Sequence, residues 1–354
     1  MNTSTKANLP YRGASKNQSP ISIEIMDNRA IASSDVVSYF RNSDSPIVEV
    51  AHAGWGSDRL ERYLSVPPQV AQTYFQNRSQ VTYDLSSKMN ALMFPIGRER
   101  GDMDLPYLPE GAEVDPREIL KPECKTIDAA FEELKVIRDK SDPNTDATQD
   151  LHGLEAMEAA RKAGQPSWYQ MIALLHDLGK RVFKYGVPQW LAVGDTFIAG
   201  CPASALHVCP AGFVHNPDFS AAHRGTYFRN TPEFFGVYRK GCGLMNTTCS
   251  WSHDEWAYRF FKQNFLDRGD TRIPLEGYYF LRFHSLYSWF FEGDYKELED
   301  DTDRCMRPLV RGFAEFDYYS KEAFSEDKLD YAALRRYAKA LMDEFFGDRL
   351  VFVN

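Results

Sequence analysis

The chain has 354 residues, of which 43% are hydrophobic and 26% charged, so it can bury a large core. A formal net charge of -9 argues against a general nucleic-acid binder. No run approaches the roughly 18 apolar residues of a membrane span, and no signal peptide is visible. The six cysteines include no Cys-x-x-Cys pair and are expected to be reduced thiols, with three disulfides as the alternative that an even count allows. We therefore expect a cytoplasmic protein without nucleic-acid or membrane partners.

The N-terminal third is predicted to contain a tail, one helix and an insertion. Residues 1–45 are rich in Ser, Asn and Thr and are expected to form a disordered tail. A helical pattern follows over residues 67–92. Residues 94–122 are charged and turn-prone, which is typical of a surface insertion. Together with this insertion, residues 46–354 are expected to form a single helical domain.

The remaining two thirds of the chain are predicted to be helical, except for residues 186–250, a long irregular stretch with many Gly and Pro residues that is more often functional than passive. Apolar residues at helical spacing predict helices over residues 126–141, 151–163, 167–178, 276–291, 307–321 and 329–346, with another beginning after Ser252. Ser167 is expected to cap the 167–178 helix and Gly179 to end it. Ser252 and Glu255 have the spacing of a capping box. No convincing strand is visible, so the predicted fold class is all-α.

The sequence Leu-Leu-His-Asp-Leu-Gly-Lys at residues 174–180 ends the most apolar of these helices. It places His176 and Asp177 together at the inner end of a buried element. A buried, ionised Asp needs a partner, and a metal ion is an efficient one. For this stretch alone, a surface pair just beyond a core helix is the alternative.

Four other segments also carry a His or an Asp in an apolar helical setting. They contribute His152, His253, His284 and Asp317. One such residue is usually a satisfied core group, but with His176 and Asp177 the set favours a metal site. Imidazoles and carboxylates without Cys suit iron, manganese or zinc, and Asp177 could bridge two ions. A dinuclear metal site is therefore predicted.

The remaining histidines are not expected at this site. They are His52, His207, His215 and His223. His52 lies near the N-terminal tail and the others lie in irregular sequence. Each is expected to be solvated or locally hydrogen-bonded.

A series of motifs occurs in an order that resembles one known family. The motifs are Ser-Asp-Pro at 141–143, Leu-Leu-His-Asp-Leu-Gly-Lys at 174–180, Pro-Gln-Trp at 188–190, Val-Gly-Asp-Thr-Phe at 193–197, Ser-Trp-Ser-His-Asp-Glu at 250–255, Arg-Phe-His-Ser-Leu-Tyr-Ser-Trp at 282–289 and Phe-Asp-Tyr-Tyr-Ser-Lys at 316–321. A His, a His-Asp pair and a distant Asp on helices resemble the HD-domain superfamily. All the motifs together resemble the myo-inositol oxygenase family over residues 126–325.

The resemblance implies an HD-domain-like helical bundle around a dinuclear, mixed-valent Fe(II)/Fe(III) site. One iron would be held by His152, His176, Asp177 and Asp317, and the other by His253 and His284, with Asp177 bridging. The implied reaction is the ring-cleaving, four-electron oxidation of myo-inositol by O2 to D-glucuronate and water. Asp177 and Lys180 are the implied catalytic residues, and a monomer is expected.

The family's polyol contacts match a further set of residues. These are Asp139, Lys180, Gly194, Asp195, Ser285 and Lys321. The two lysines could donate to substrate oxygens as charge develops, or could simply be exposed just past helix ends. The family's substrate-capping Arg has three possible counterparts here, Arg41, Arg59 and Arg62.

Three other functions remain open on the sequence. A metal-dependent phosphohydrolase of the HD superfamily would need only His152, His176, Asp177 and Asp317, although the acidic chain shows no basic phosphate-binding cluster. A related di-iron oxygenase could act on another small substrate. A non-enzymatic scaffold would be indicated by a lost ligand, and none is lost.

Overall fold

The computed structural model describes only part of the chain. The described residues are 6–8, 22–24, 73, 74, 77, 123–139, 141, 147–185, 189, 193, 196–202, 206, 207, 213, 231–236, 238–250, 252–323 and 329–352, with the backbone alone for 6–8, 22–24, 185, 318–323 and 352. Several sequence-based expectations lie outside these residues. They concern most of the tail, the insertion at 94–122, most of the 67–92 helix, and the residues Arg41, His52, Arg59, Arg62, Gly194, Asp195, His215 and His223.

The described residues are mostly helical, which confirms the predicted all-α class. The α-helices are α1 (Ile127–Glu132), α2 (Gln149–Lys162), α3 (Ser167–Leu175), α4 (His253–Asn264), α5 (Leu275–Phe283), α6 (Tyr287–Phe290), α7 (Asp301–Ala323) and α8 (Tyr331–Phe345). Shorter-pitch 3-10 helices cover Glu133–Val136, His176–Tyr185, Leu244–Asn246 and Leu266–Arg268. No helix in this described part is long and apolar enough to cross a membrane.

Within the described residues, short strands, which the sequence did not predict, form three two-stranded antiparallel sheets. The pairs are β1 (Lys6–Asn8) with β2 (Ser22–Glu24), β3 (Cys124–Lys125) with β6 (Val351–Phe352), and β4 (Phe234–Phe235) with β5 (Tyr238–Arg239). Strands of two or three residues are too short to show an alternating pattern. The β3–β6 pair joins the chain before α1 to the chain after α8.

The helices pack around an aromatic core. α2 packs against α3, α4 against α5 and the long 3-10 helix, and α7 across α2 and α5. Phe280 of α5 stacks on Phe313 of α7 with 4.8 Å between ring centroids, and Tyr169 of α3 meets Phe280 edge-on at 5.2 Å. Gly153 lets α2 approach α3, because an added Cβ would lie 2.4 Å from the Leu174 carbonyl oxygen. The elements that carry the candidate ligands are thereby held at a fixed spacing.

The helix predicted over residues 167–178 begins at Ser167 as expected, but its N-cap residue and its C-terminal end differ from the prediction. Pro166, not Ser167, is the N-cap residue. Gly179 does not end the helix, because the chain continues beyond α3 as the 3-10 helix His176–Tyr185. A 3-10 run of 10 residues is uncommon and often marks a functional segment. The role of Gly179 is a close backbone contact, described below.

Two further boundaries were wrong because the chain turns to make long-range contacts. The helix predicted over residues 126–141 gives way to extended backbone at Ile137, whose carbonyl accepts from the Gln149 amide at 3.0 Å. This pairing folds the chain back and starts α2. The helix predicted over residues 276–291 is interrupted between α5 and α6, where the chain turns at His284.

The predicted capping box at the start of α4 does not form. Ser252 is the N-cap residue, but its hydroxyl donates to Asp254 Oδ1 at 2.5 Å instead of capping the backbone. Glu255 accepts from Arg282 Nε at 2.7 Å and from Arg259 Nε at 2.6 Å. Charge-assisted hydrogen bonds are stronger than neutral ones, so the arginines draw this carboxylate away from the helix end.

Candidate metal centre

Five elements bring the candidate ligands to one place in the interior. α2 carries His152, the long 3-10 helix begins with His176 and Asp177, α4 begins with His253, His284 follows the last residue of α5, and α7 carries Asp317. Each of these side chains belongs to a residue that is at most 5% exposed. Polar groups buried this deeply must be paired with each other or with an ion.

His152, His176, Asp177 and Asp317 form what we call the first ligand group. The His152 Nε2 atom lies 3.2 Å from His176 Nε2 and 2.9 Å from Asp317 Oδ1. Asp177 Oδ2 lies 3.4 Å from His152 Nε2 and 3.5 Å from His176 Nε2. Four side chains thus point their donor atoms at one small volume.

His253, His284 and Asp177 form the second ligand group. Their ring atoms His253 Nε2 and His284 Nε2 lie 3.1 Å apart. Asp177 Oδ1 lies 3.3 Å from His253 Nε2 and 3.9 Å from His284 Nε2. The two oxygens of Asp177 therefore face different pairs of imidazoles, as a carboxylate shared by two ions would.

These donor atoms fit metal ions. Two donors that each lie about 2.1 Å from one ion are about 3.0–3.4 Å apart at ordinary coordination angles. The atoms of His152, His176 and Asp177, and those of Asp177, His253 and His284, each lie within 4.8 Å of one another. Nitrogen and oxygen donors without Cys suit iron, manganese or zinc.

Backbone carbonyls fix the orientation of two of the imidazoles. His176 Nδ1 lies 2.8 Å from the Ala173 carbonyl oxygen, and His284 Nδ1 lies 3.1 Å from that of Phe280. A carbonyl can only accept, so each Nδ1 carries the proton and each Nε2 keeps its lone pair for a metal.

The protonation of His284 and Asp177 favours cation binding, whereas burial alone would lower the pKa of His176 but the carboxylates of Asp177 and Asp317 raise it above its usual value. Burial lowers the pKa of His284 to about 4, so its imidazole is neutral at neutral pH. Burial alone would raise the pKa of Asp177, but Lys180 and the neighbouring imidazoles hold it well below its usual range. A neutral imidazole and an ionised carboxylate are the forms that bind metals.

A glycine brings the two ligand groups together. An added Cβ at Gly179 would lie 2.2 Å from the carbonyl oxygen of His253. The 3-10 helix that carries Asp177 can therefore pass directly over the start of α4. Any larger residue would push Asp177 away from His253.

Lys180 is buried, which excludes simple surface exposure. The residue is 6% exposed, and its Nζ lies 2.7 Å from Asp139 Oδ2 and 2.8 Å from Asp177 Oδ2. It also donates to Gln149 Oε1 at 3.1 Å. Sequence reasoning missed Gln149, although its position one helical turn before His152 was a usable signal.

The other predicted polyol contacts are only partly described. Ser285 Oγ lies 3.2 Å from His253 Nε2, at the edge of the second ligand group. Lys321 lies on α7, with only its backbone described. Gly194 and Asp195 lie outside the described residues, but the next residue, Thr196, donates its amide to the Ser285 carbonyl at 2.9 Å.

His207 corrects an expectation. The sequence suggested a solvated or locally hydrogen-bonded side chain, but the residue is 0% exposed. Its Nε2 lies 2.7 Å from the Tyr295 hydroxyl oxygen, on a distant part of the chain. Tertiary packing rather than local sequence provides this partner.

A His, a His-Asp pair and a distant Asp, brought together by helices, define the class of HD-like helical proteins with a metal-binding centre. The family model for myo-inositol oxygenase matches residues 119–352, and the chain belongs to this family.

Curated relatives from animals and plants support the assignment. The inositol oxygenase of Sus scrofa is 37% identical over 222 residues, covering 62% of this chain and 73% of the relative. That of Homo sapiens is 36% identical with the same coverage. Inositol oxygenase 4 of Arabidopsis thaliana is 37% identical over 221 residues, covering 61% of this chain and 65% of the relative.

Proposed function

We propose that this chain catalyses the ring-cleaving oxidation of myo-inositol by O2 to D-glucuronate and water at a mixed-valent pair of iron ions. One observation carries the proposal: the two carboxylate oxygens of Asp177 face two separate pairs of buried imidazoles. Membership of the family makes the chain an oxygenase, and the relatives are named for inositol.

Each ligand group would hold one iron, with Asp177 shared between them. The first group offers four protein donors and the second three, so the second has more room for a substrate oxygen. When bound, the iron pair supplies the activation of dioxygen, a chemistry that amino-acid side chains lack.

Lys180 is the proposed electrostatic catalyst on the substrate side. Its ammonium is fixed between Asp139 and Asp177 before any substrate arrives. A fixed, buried cation stabilises negative charge on a substrate oxygen better than a cation in water does. We propose that Gln149, its neutral and most distant partner of the three, gives way to that oxygen.

Hydrogen bonds are the proposed basis of polyol recognition. An uncharged polyol offers many hydroxyls, and a site selects it by pairing each of them. Asp139, Ser285 and Lys180 are proposed contacts within the described residues. Gly194, Asp195, Lys321 and one of Arg41, Arg59 and Arg62 are proposed on the resemblance alone.

A phosphohydrolase is the less favoured function. It would need only the first ligand group and would leave the 3.1 Å approach of His253 to His284 without a role. The net charge of -9 also disfavours a phosphorylated substrate.

Electron paramagnetic resonance tests the proposal. The protein is loaded with Fe(II) without oxygen, partly oxidised, and measured with and without myo-inositol, and D-glucuronate is quantified after O2 is admitted. We expect a half-integer-spin signal from a coupled Fe(II)/Fe(III) pair that myo-inositol alters. A coupled signal indifferent to myo-inositol would move the search to another substrate. The oxygenase assignment would be overturned if no coupled iron pair forms and the protein instead hydrolyses phosphate esters when loaded with magnesium, manganese or zinc.

The single domain over residues 46–354, the monomeric state and the cytoplasmic location stay predictions. Light scattering on a size-exclusion column would test the monomer.

A further inference from the structure

A closed ring of hydrogen bonds lies behind the second ligand group. The Thr196 amide donates to the Ser285 carbonyl at 2.9 Å, and the Ser285 amide donates to Asp254 Oδ2 at 3.2 Å. The Ser252 hydroxyl donates to Asp254 Oδ1 at 2.5 Å and lies 2.6 Å from the Thr196 hydroxyl, which closes the ring. A hydroxyl has one proton, so Ser252 accepts from Thr196 while it donates to Asp254.

The ring joins three separate segments at the positions next to the candidate ligands. Ser252 and Asp254 flank His253, Ser285 follows His284, and Thr196 lies on the segment proposed to contact the polyol. Asp254 is 0% exposed and provides two of the four links. Its carboxylate thus connects the start of α4 to the turn after α5.

The two imidazoles of this group lie at different helix ends. His284 Nδ1 faces backbone carbonyls of its own helix. His253 is the first residue of α4, and His284 stands at the turn after α5. Asp254 provides a direct side-chain link between these two places, because it accepts from Ser252 on one side and from the Ser285 amide on the other.

We propose that Asp254 is a positioning residue that sets the separation of His253 and His284. This inference rests on the proposed function, because it assigns the ring a task at the second iron. It predicts that the second iron, and not the first, depends on the ring. Outer-shell partners of metal ligands typically contribute about 10–100-fold to metal affinity.

Substitutions at Asp254 separate geometry from charge. Asp254→Ala removes both links and should weaken binding of the second Fe(II) by about 10–100-fold, leaving the first unchanged. Asp254→Asn can accept from the Ser285 amide and donate to Ser252, which keeps the ring with its direction partly reversed. If position is what matters, Asp254→Asn should restore most of the lost affinity and the coupled signal.

Asp303 offers a matched control. It is also buried, and it accepts from the Leu244 amide at 2.8 Å and the Tyr279 hydroxyl at 2.7 Å, neither of which belongs to a candidate ligand or to its neighbour in sequence. Asp303→Ala should lower thermal stability yet keep both irons. If Asp254→Ala does not fold, Ser252→Ala breaks two links of the ring and should weaken the same iron by a smaller factor.

The measurement is an anaerobic titration with Fe(II) against a competing chelator, followed by the spectrum of the partly oxidised protein. A second Fe(II) bound with wild-type affinity in Asp254→Ala, or in Ser252→Ala if that variant replaces it, would overturn the inference. The inference would also be overturned if Asp254→Ala and Asp254→Asn lost the same affinity for the second Fe(II), or if Asp303→Ala lost its second iron. A wild-type protein that binds two irons but leaves myo-inositol intact would overturn the proposed function alone. Uptake of one iron by the wild type would overturn both.

Discussion

The two ligand groups differ in how firmly the protein holds them. The first has four donors: His152 and Asp317 come from within α2 and α7, and His176 and Asp177 come from the start of the long 3-10 helix. The second takes His253 from the first residue of α4 and His284 from the turn after α5, and it has three. Donors inside helices are fixed by the helix, whereas donors at helix ends need further contacts. If each group holds one iron, as proposed, the first would be a closed position and the second an open one that meets substrate.

The largest effect is expected from removing one ligand of the second group, which tests whether the two groups act differently. His284→Ala should lower the rate of ring cleavage by more than about 10³-fold, beyond the effect typical of outer-shell changes. The first iron should remain, since its described donors are untouched. Product formation and iron content per chain are the measurements.

His207→Gln is the control for His284→Ala, because it changes a buried histidine outside both groups and Gln can still reach Tyr295. It should keep both irons and its turnover. Undiminished turnover in His284→Ala would contradict the assignment of the second ligand group as an iron site.

The close approach of the Gly179 backbone to the His253 backbone, which brings the two ligand groups together, can be tested by substitution. Gly179→Ala would place a Cβ 2.2 Å from the His253 carbonyl oxygen, so the backbone must shift. We expect a loss of about 2–4 kcal/mol in the free energy of unfolding, in the upper range for single substitutions. The coupled iron signal should also weaken. Denaturant unfolding and spectroscopy would measure the two effects.

Gly312→Ala is the matched control, because a Cβ at that position in α7 meets nothing within 4 Å. It should stabilise the protein by up to about 1 kcal/mol, since Ala favours helix over Gly. Equal unfolding free energies and equal iron signals for Gly179→Ala and Gly312→Ala would contradict a close approach of the backbone at Gly179.

The charge beside the first group can be tested with Lys180→Met. This change keeps much of the side-chain volume but removes the ammonium between Asp139 and Asp177. We expect kcat/KM for myo-inositol to fall by about 10²–10³-fold, the range for removing one preorganised donor. Lys184→Met alters the same 3-10 helix near Glu133 and should have little effect on turnover. A similar loss in both variants would contradict a direct role for Lys180.

The smallest expected effect is at Glu133, whose carboxylate contacts Arg181 of that 3-10 helix. Glu133 Oε2 lies 2.7 Å from a nitrogen of the buried Arg181 guanidinium. Burial alone would raise the pKa of Glu133, but hydrogen bonds from Lys125 and Lys184 and the charge of Arg181 lower it overall. Glu133→Gln should therefore cost about 1–2 kcal/mol of unfolding free energy at neutral pH after allowance for solvent screening.

The depressed pKa of Glu133 also predicts how its contribution to the free energy of unfolding changes with pH. The folded pKa of Glu133 is depressed, so its contribution is present above the ordinary Glu pKa of about 4.3 and is lost as the pH falls through the folded value. The difference between wild type and Glu133→Gln should shrink in acid. A difference that grows below pH 4 would contradict the depressed pKa, and denaturant unfolding across pH would decide.

Local patterns predicted the helical class and the residues brought together at the candidate centre. Apolar spacing identified α2, α3 and α8 to within a few residues, because one buried face leaves a periodic trace. Boundaries failed where the chain turns for a distant partner, as at Ile137 and His284. Such partners leave no local signal.

The sequence by itself determined the chemistry available: four imidazoles and two carboxylates on apolar helices, in an order that resembles one family. Tertiary structure alone decided that Asp177 divides its oxygens between two imidazole pairs, that Gly179 passes over His253, and that Asp254 joins α4 to the turn after α5. Residue types and spacing set what a helix can present, because they act over a few residues. Distances of about 3 Å between atoms far apart in the chain arise only when whole helices pack.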